Sequence, residues 1–332
     1  MANPPNNGII LYHYSYSPFA RRVVWYLALR GIDYAECRQP PVMPRPDLKA
    51  IGVNYRRIPV CAIGRDVYCD SRIIIQKLEQ MFPQGKLGSS VPHSRGIEKL
   101  LEIWQIEAGV FGRGAALIPS DGPLSKDKKF QKDREEFSGR PWSKEAVDRN
   151  RPEAVAAMRN YFRFMESTIL EDGRDYILGT KEPSLADIEG VWVFHWMRDL
   201  KGALPGEMIS AKQFPKVFAW IERFDKAVKA AKAKNAKPAS LKGDAAAKRV
   251  LDASFADQDI GVDESDPLKL QKGQEVEIWP TDSGFGHRDR GALVGLNEDE
   301  VVIAVDVSGK EVRLHFPRIN FRIAAVGSAS NL

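Results

Sequence analysis

Three short stretches in the first quarter of the chain carry the residue types that a small thiol ligand needs. Tyr16-Ser17-Pro18-Phe19-Ala20 sets a hydroxyl between an apolar run, Ile9 to His13, and a helical pattern that begins at Phe19. The free amides and positive end of a helix favour an anion there, a thiolate in particular. A free thiol ionises near ~8.5, and a hydroxyl donor plus a helix end stabilise its anion at neutral pH. Ser17 ahead of Pro18 also has the form of a plain helix cap.

The second stretch, Arg57-Ile58-Pro59-Val60, opens an apolar strand pattern with a proline. A cis bond would turn the Ile58 N–H and C=O towards an extended ligand that pairs like an added strand, whereas an edge-strand proline would do nothing of the kind. The third, Asp70-Ser71, stands at a strand-to-helix junction. It reads as a cap, or as a carboxylate and hydroxyl that hold an α-amino and α-carboxylate pair together with helix amides. Cys37, Cys61 and Cys69 lack C-x-x-C spacing, so neither a disulfide framework nor a metal site is expected. His195, inside an apolar helical pattern, reads as a core histidine.

These stretches need a scaffold. Strands at Ile9 to His13, Tyr34 to Arg38, Ile58 to Ile63 and Val67 to Cys69, with helices at Phe19 to Arg30 and Ser71 to Phe82, make a mixed-sheet α/β domain over 8–84. Residues 91–228 show helical spacing only, at Ile97 to Phe111, Glu153 to Leu170, 185–200 and Phe214 to Val228. Pro119 to Pro152 reads as a charged excursion, either solvated or lying over a binding site. Ser184-Leu-Ala-Asp187 has the form of a capping box. Residues 229–266 read as a Lys/Ala-rich, then acidic, linker with a short helix. Over 267–326 the period becomes two, and five short strands suffice for a small closed barrel of SH3-like form.

The order hydroxyl-Pro-Phe-Ala, Ile-Pro and Asp-Ser, then an all-helical domain with a Ser-x-x-Asp box, resembles the cytosolic glutathione S-transferase family over roughly Gly8 to Val228. The resemblance implies a thioredoxin-like domain that binds glutathione as co-substrate, and a helical domain that admits a hydrophobic small molecule. Ser17 would hydrogen-bond the glutathione sulfur, with Tyr16 and Tyr14 as rival donors. Arg57, Ile58 and Pro59 would meet the peptide, Asp70 and Ser71 its γ-glutamyl end, and Tyr14 and Phe111 the co-substrate. The N-terminal motif is most similar to the omega type, with Ser17 where that type has cysteine, so thiol transfer at that position is not expected. Pairing into homodimers is implied as well. The barrel resembles the tail of a group of fungal transferase-like proteins, which implies a fungal source, and the family resemblance implies a role in detoxification or secondary metabolism.

The whole is thus multidomain, α/β plus all-α plus small all-β. The rival reading is a non-catalytic scaffold whose barrel binds protein, with Trp279, Phe285 and His287 lining a groove. Of 332 residues, 43% are hydrophobic and 28% charged, a globular profile. No apolar run reaches the ~18 residues of a membrane span, and Met1 to Asn7 lacks a signal-peptide pattern, so a cytoplasmic chain without a membrane partner is expected. Lys226 to Arg249 is basic but has no interleaved aromatic, and an acidic tail follows it, which argues against nucleic acid.

Overall fold

The computed structural model describes residues 7–327, so all of the Met1 to Asn7 stretch but Asn7 lies outside the described residues. The first domain runs β1 (Ile9–His13), α1 (Pro18–Arg30), β2 (Ala35–Arg38), the single turn α2 (Pro46–Lys49), β3 (Val60–Ile63), β4 (Asp66–Cys69) and α3 (Ser71–Met81). Ser17 caps α1 by accepting the Ala20 amide, Pro18 follows at the first turn, and Gly31 ends the helix at φ 63°.

Seven helices follow: α4 (Pro92–Ile106), α5 (Val110–Ala115), α6 (Pro123–Lys126), α7 (Lys128–Ser138), α8 (Lys144–Phe164, continuing into a π-helical turn, Met165–Ile169), α9 (Leu185–Asp199) and α10 (Pro215–Lys234). The capping box at Ser184 and Asp187 is formed, and Asp187 also accepts from the Ile177 amide and the Trp220 indole. The 119–152 segment is not an irregular excursion. It holds α6, α7 and the first turns of α8, which carries Pro152 in its interior behind a Ser143 cap. No helix among the described residues is long and apolar enough to cross a membrane.

After α10 the chain returns to the first domain through β5 (Ala239–Ser240) and α11 (Gly243–Leu251), then forms β6 (Glu275–Pro280), β7 (Asp289–Leu296), β8 (Glu300–Val307), β9 (Lys310–Pro317) and β10 (Phe321–Ala325). The expected linker over 229–266 is therefore anchored to the first domain at two points, though most of its side chains stay at the surface. β5 pairs in parallel with β2, and Ala246, Ala247 and Val250 of α11 are buried, because small side chains let α11 close on the sheet.

The strands form one sheet in the order β10-β6-β7-β8-β9-β4-β3-β1-β2-β5. The C-terminal strands make an additional β unit. At β9, closure on itself is replaced by parallel pairing with β4, Val67 against Leu314 and Tyr68 against His315. This joint protects β4, which the first domain alone would leave as an open edge. The pleat sends alternate β1 residues to two cores. Ile9 and Leu11 pack with Trp192, Phe162 and the helical domain, while Ile10 and Tyr12 pack with α2, α11 and the C-terminal strands, including Val276, Leu293 and Phe316.

Candidate functional site

Sheet register brings the three sequence stretches to one end of the first domain. Tyr12 of β1 faces Val60 of β3, which in turn faces Cys69 of β4. The β1–α1 turn, the Ile58–Pro59 peptide and the Asp70–Ser71 junction are therefore neighbours. The Ile58–Pro59 bond is cis, and the β1/β3 ladder begins only at Val60. Pro59 thus precedes a central strand, which removes the edge-strand reading.

Ser17 is 2% exposed; its Oγ accepts the Ala20 amide at 3.2 Å. That bond uses the oxygen as acceptor and leaves the hydroxyl proton to be donated. Tyr14 lies half-buried with its ring 4.8 Å from that of the exposed Tyr16. Burial, then Tyr14, pushes the Tyr16 hydroxyl up, so it stays a neutral donor. Phe111 packs 4.7 Å from Phe19 and 5.5 Å from Trp192, which ties α5 to the start of α1.

Asp70 caps α3 at φ 105°, a conformation that costs a non-glycine residue about 1–3 kcal/mol. Its carboxylate is held in place by Arg72, which reaches it through the backbone amide at 3.0 Å, Nε at 3.1 Å and Nη2 at 3.1 Å. Burial alone would push Asp70 up, but the Arg72 guanidinium, with Arg57 behind it, outweighs burial and holds it below the usual carboxylate range. Ser71 Oγ accepts from Arg22 at 2.8 Å, and Arg22 is paired with buried Glu189. Arg57 stands 4.0 Å from Asp70 and turns instead to the C-terminal strands, where it meets Asp282 and the Ser283 carbonyl. The set contains a carboxylate, a hydroxyl, helix amides and a guanidinium, which suits a zwitterionic peptide end.

Arg22, Arg72 and Asp282 were not singled out from sequence. Arg72 directly follows the Asp-Ser pair and could have been flagged, whereas Arg22 and Asp282 reach the site only through tertiary packing. The cysteines contribute no thiolate. All three are buried and unpaired; burial pushes Cys37 and Cys61 up to about 12, and Cys69 well above its ordinary value. His195 is a core residue, bonded to Asp225 at 2.6 Å.

The long loop between β6 and β7 lies beside the site. Gly284 N donates to the Phe137 carbonyl of α7 at 2.7 Å, and Asn54 Nδ2 donates to the Arg288 carbonyl at 2.8 Å. His287 lines a cavity of about 180 Å³ with Met43, Arg45, Leu48 and Tyr55. Trp279 lies under the Arg288 guanidinium and Phe285 lies against Gly139, so each of the three aromatic residues has a different neighbour. α7 itself reaches the first domain, with Asp133 accepting from the Met43 amide and from Arg56, both at 2.9 Å.

Residues 11–86 match the family model described as glutathione S-transferase, N-terminal domain, and residues 113–233 match a domain of unknown function, DUF7962. A probable glutathione S-transferase of Solanum tuberosum is 26% identical over 121 residues, 36% of this chain and 52% of that protein. The chain therefore spans about half the length of that relative. Glutathione S-transferase U7 of Arabidopsis thaliana is 18% identical over 206 residues, 62% of this chain and 78% of its own. Among solved structures, a GST-like protein from Pseudomonas syringae superposes with a TM-score of 0.69 at 23% identity, covering 96% of this chain and 99% of that one. That likeness of fold extends through the C-terminal strands. A rice GST in complex with glutathione gives 0.51 at 17% identity over 70% of this chain and 94% of its own.

Proposed function

We propose, from the premise that the chain belongs to the glutathione S-transferase family, that its first domain binds glutathione and holds its sulfur as a thiolate for attack on a hydrophobic electrophile. The observation that carries this reading is the meeting of Ser17, the cis Ile58–Pro59 peptide and Asp70–Ser71 at one sheet end. Ser17 donates to the sulfur, with the first turn of α1 adding its positive end. Ile58 pairs with the peptide backbone, Asp70 takes the ammonium of the γ-glutamyl end, and Ser71 with Arg57 takes carboxylates. Tyr14, Tyr16 and Phe111 flank the co-substrate. In conjugation, the thiol gives its proton to solvent, a carbon–sulfur bond forms, and a leaving group departs or a conjugated double bond takes up the electron pair. Reversible addition gives isomerisation with the same groups.

We read the chain as three units, 8–84, 91–228 and 267–326, with 229–266 laid along the first. The strand order β10-β6-β7-β8-β9 supports an SH3-like reading of the last unit. A cytoplasmic location and a homodimer belong to the same proposal. Because β4 is paired with β9, a dimer has to use a surface other than that strand edge.

One observation favours a second reading, a scaffold that keeps the fold without turnover: Asp70, Ser71 and Arg57 all have partners within the chain. Retention on immobilised glutathione and a thiol-conjugation assay separate the two. We expect retention, and a loss of kcat/KM of the order of a hundredfold in Ser17→Ala, with smaller losses in Tyr16→Phe and Tyr14→Phe. Unchanged turnover in Ser17→Ala removes that residue from the mechanism; absence of retention favours the scaffold.

A further inference from the structure

The loop from Thr281 to Arg288 lies beside the candidate site, and its contact with Arg57 is made by groups that resemble a peptide ligand's own. Arg57 donates through Nε to the Ser283 carbonyl at 3.0 Å and through Nη2 to the same oxygen at 2.6 Å, while Nη2 also pairs with the Asp282 carboxylate. A backbone carbonyl and a carboxylate on adjacent residues are what the C-terminal end of a peptide would present to a guanidinium. We propose that Asp282 is a specificity-determining residue of the first domain's ligand site: it occupies Arg57 in place of a ligand carboxylate, so that the loop and a carboxylate-bearing thiol peptide exclude each other at that guanidinium. This rests on the reading that the first domain takes glutathione.

Three features of the loop fit displacement. Its ends are tethered, at Thr281 by a hydrogen bond from its N–H to the Asn320 carbonyl at 2.9 Å and at Asp289 by acceptance from the Asn54 amide at 2.6 Å. Between these ends the Asp282 side chain is 40% exposed, and Phe285 at the tip, which touches Gly139 just past α7, is 45% exposed, so only part of the loop's surface is covered. Gly284 sits at φ 69°, and a Cβ there would meet the Arg56 stem at 3.0 Å, so the docked conformation depends on glycine. The charges also matter. With Asp70 on one side and Asp282 on the other, Arg57 is already neutralised, and an incoming carboxylate has to displace one of them.

The test is calorimetric titration of the full chain with glutathione and with glutathione diethyl ester, in which both carboxylates are blocked. For Asp282→Asn and Asp282→Ala, glutathione should bind about fivefold tighter than to the parent, the factor that ~1 kcal/mol of a partly exposed ion pair represents, with no gain for the diester. Adding Arg57→Met to either variant should abolish the gain. Equal affinities in parent and variants, weaker binding of glutathione, or the same gain for the diester overturns the proposal and leaves the glutathione reading standing. Failure of glutathione to bind any of these proteins overturns that reading, and this inference with it.

Discussion

The C-terminal strands touch the first domain along two seams that differ in kind. Along β4 and β9 the joint is buried. His315 presents Nε2 to Asp66 at 3.0 Å and Nδ1 to Glu300 at 2.6 Å, and Lys77 of α3 bridges Glu300 at 2.8 Å and Asp257 at 2.6 Å. Asp66 further accepts the Ala256 and Asp257 amides. Asp257, Glu300 and His315 would make a metal-type cluster, but the Lys77 ammonium already supplies the cation between the two carboxylates. Along the β6–β7 loop, by contrast, Arg57 meets a half-exposed Asp282 and the remaining bonds are to backbone. Buried, mutually satisfied charges resist separation, because parting them strands a charge out of water; exposed ones are readily replaced by solvent or a ligand. The first seam fixes the β unit in place, and the second leaves its loop free to exchange partners.

The largest effect is expected from Lys77→Met. It removes the ammonium between Asp257 and Glu300 and leaves Glu300 buried with only His315 to compensate it. A loss of about 3–5 kcal/mol in unfolding free energy is expected, read by urea denaturation. A loss below ~1 kcal/mol would show that the β4–β9 joint is no stronger than an ordinary surface contact.

Proton linkage separates the seams by pH window. Burial, against the opposing pull of the Asn54 and Tyr55 amides, pushes Asp289 at the end of the loop up to about 7. Burial would lower His315, but Asp66 and Glu300 outweigh it and raise the imidazole above its ordinary 6.5. Both groups bind protons more tightly folded than unfolded, so each contributes stability that is lost with rising pH. For Asp289 the loss runs from about 4 to about 7 and amounts to a few kcal/mol; for His315 it begins near 6.5 and ends above its folded value. The difference in stability between parent and Asp289→Asn should therefore change with pH only in the lower window. That between parent and His315→Gln should change only in the upper one. Parallel pH profiles for parent and Asp289→Asn would place that carboxyl in water.

What could be read from sequence was what local rules encode. Ser17-Pro18, Asp70-Ser71 and the Ser184–Asp187 box announce helix starts, because a cap needs a particular side chain at a particular offset. Period-two patterning announced the five C-terminal strands, though not that β9 would join β4, since a strand's sequence does not name its neighbour. The sequence places the helix start at Glu153, after Pro152, yet α8 runs through that proline, helped by the Ser143 cap and the Lys144–Asp148 pair. The internal partners of the site were hidden for a related reason. Arg22 and Asp282 carry no periodic signal, and only packing shows which carboxylate Arg22 and Arg57 each meet.

The smallest effect completes the contrast. Asp282→Ala removes the carboxylate from Arg57, but the guanidinium keeps the Ser283 carbonyl and still has Asp70 nearby. Since the Asp282 side chain is 40% exposed, water replaces much of what is lost, and the cost in unfolding free energy should stay under ~1 kcal/mol. Denaturation of this variant beside Lys77→Met, in one buffer, measures the two seams on one scale. A cost as large as that of Lys77→Met would mean that the loop is fixed as firmly as β9, and a ligand could not lift it from Arg57 at ordinary concentrations. A small cost leaves Arg57 within reach of an arriving carboxylate, because the fold then gives up little stability when the loop moves aside.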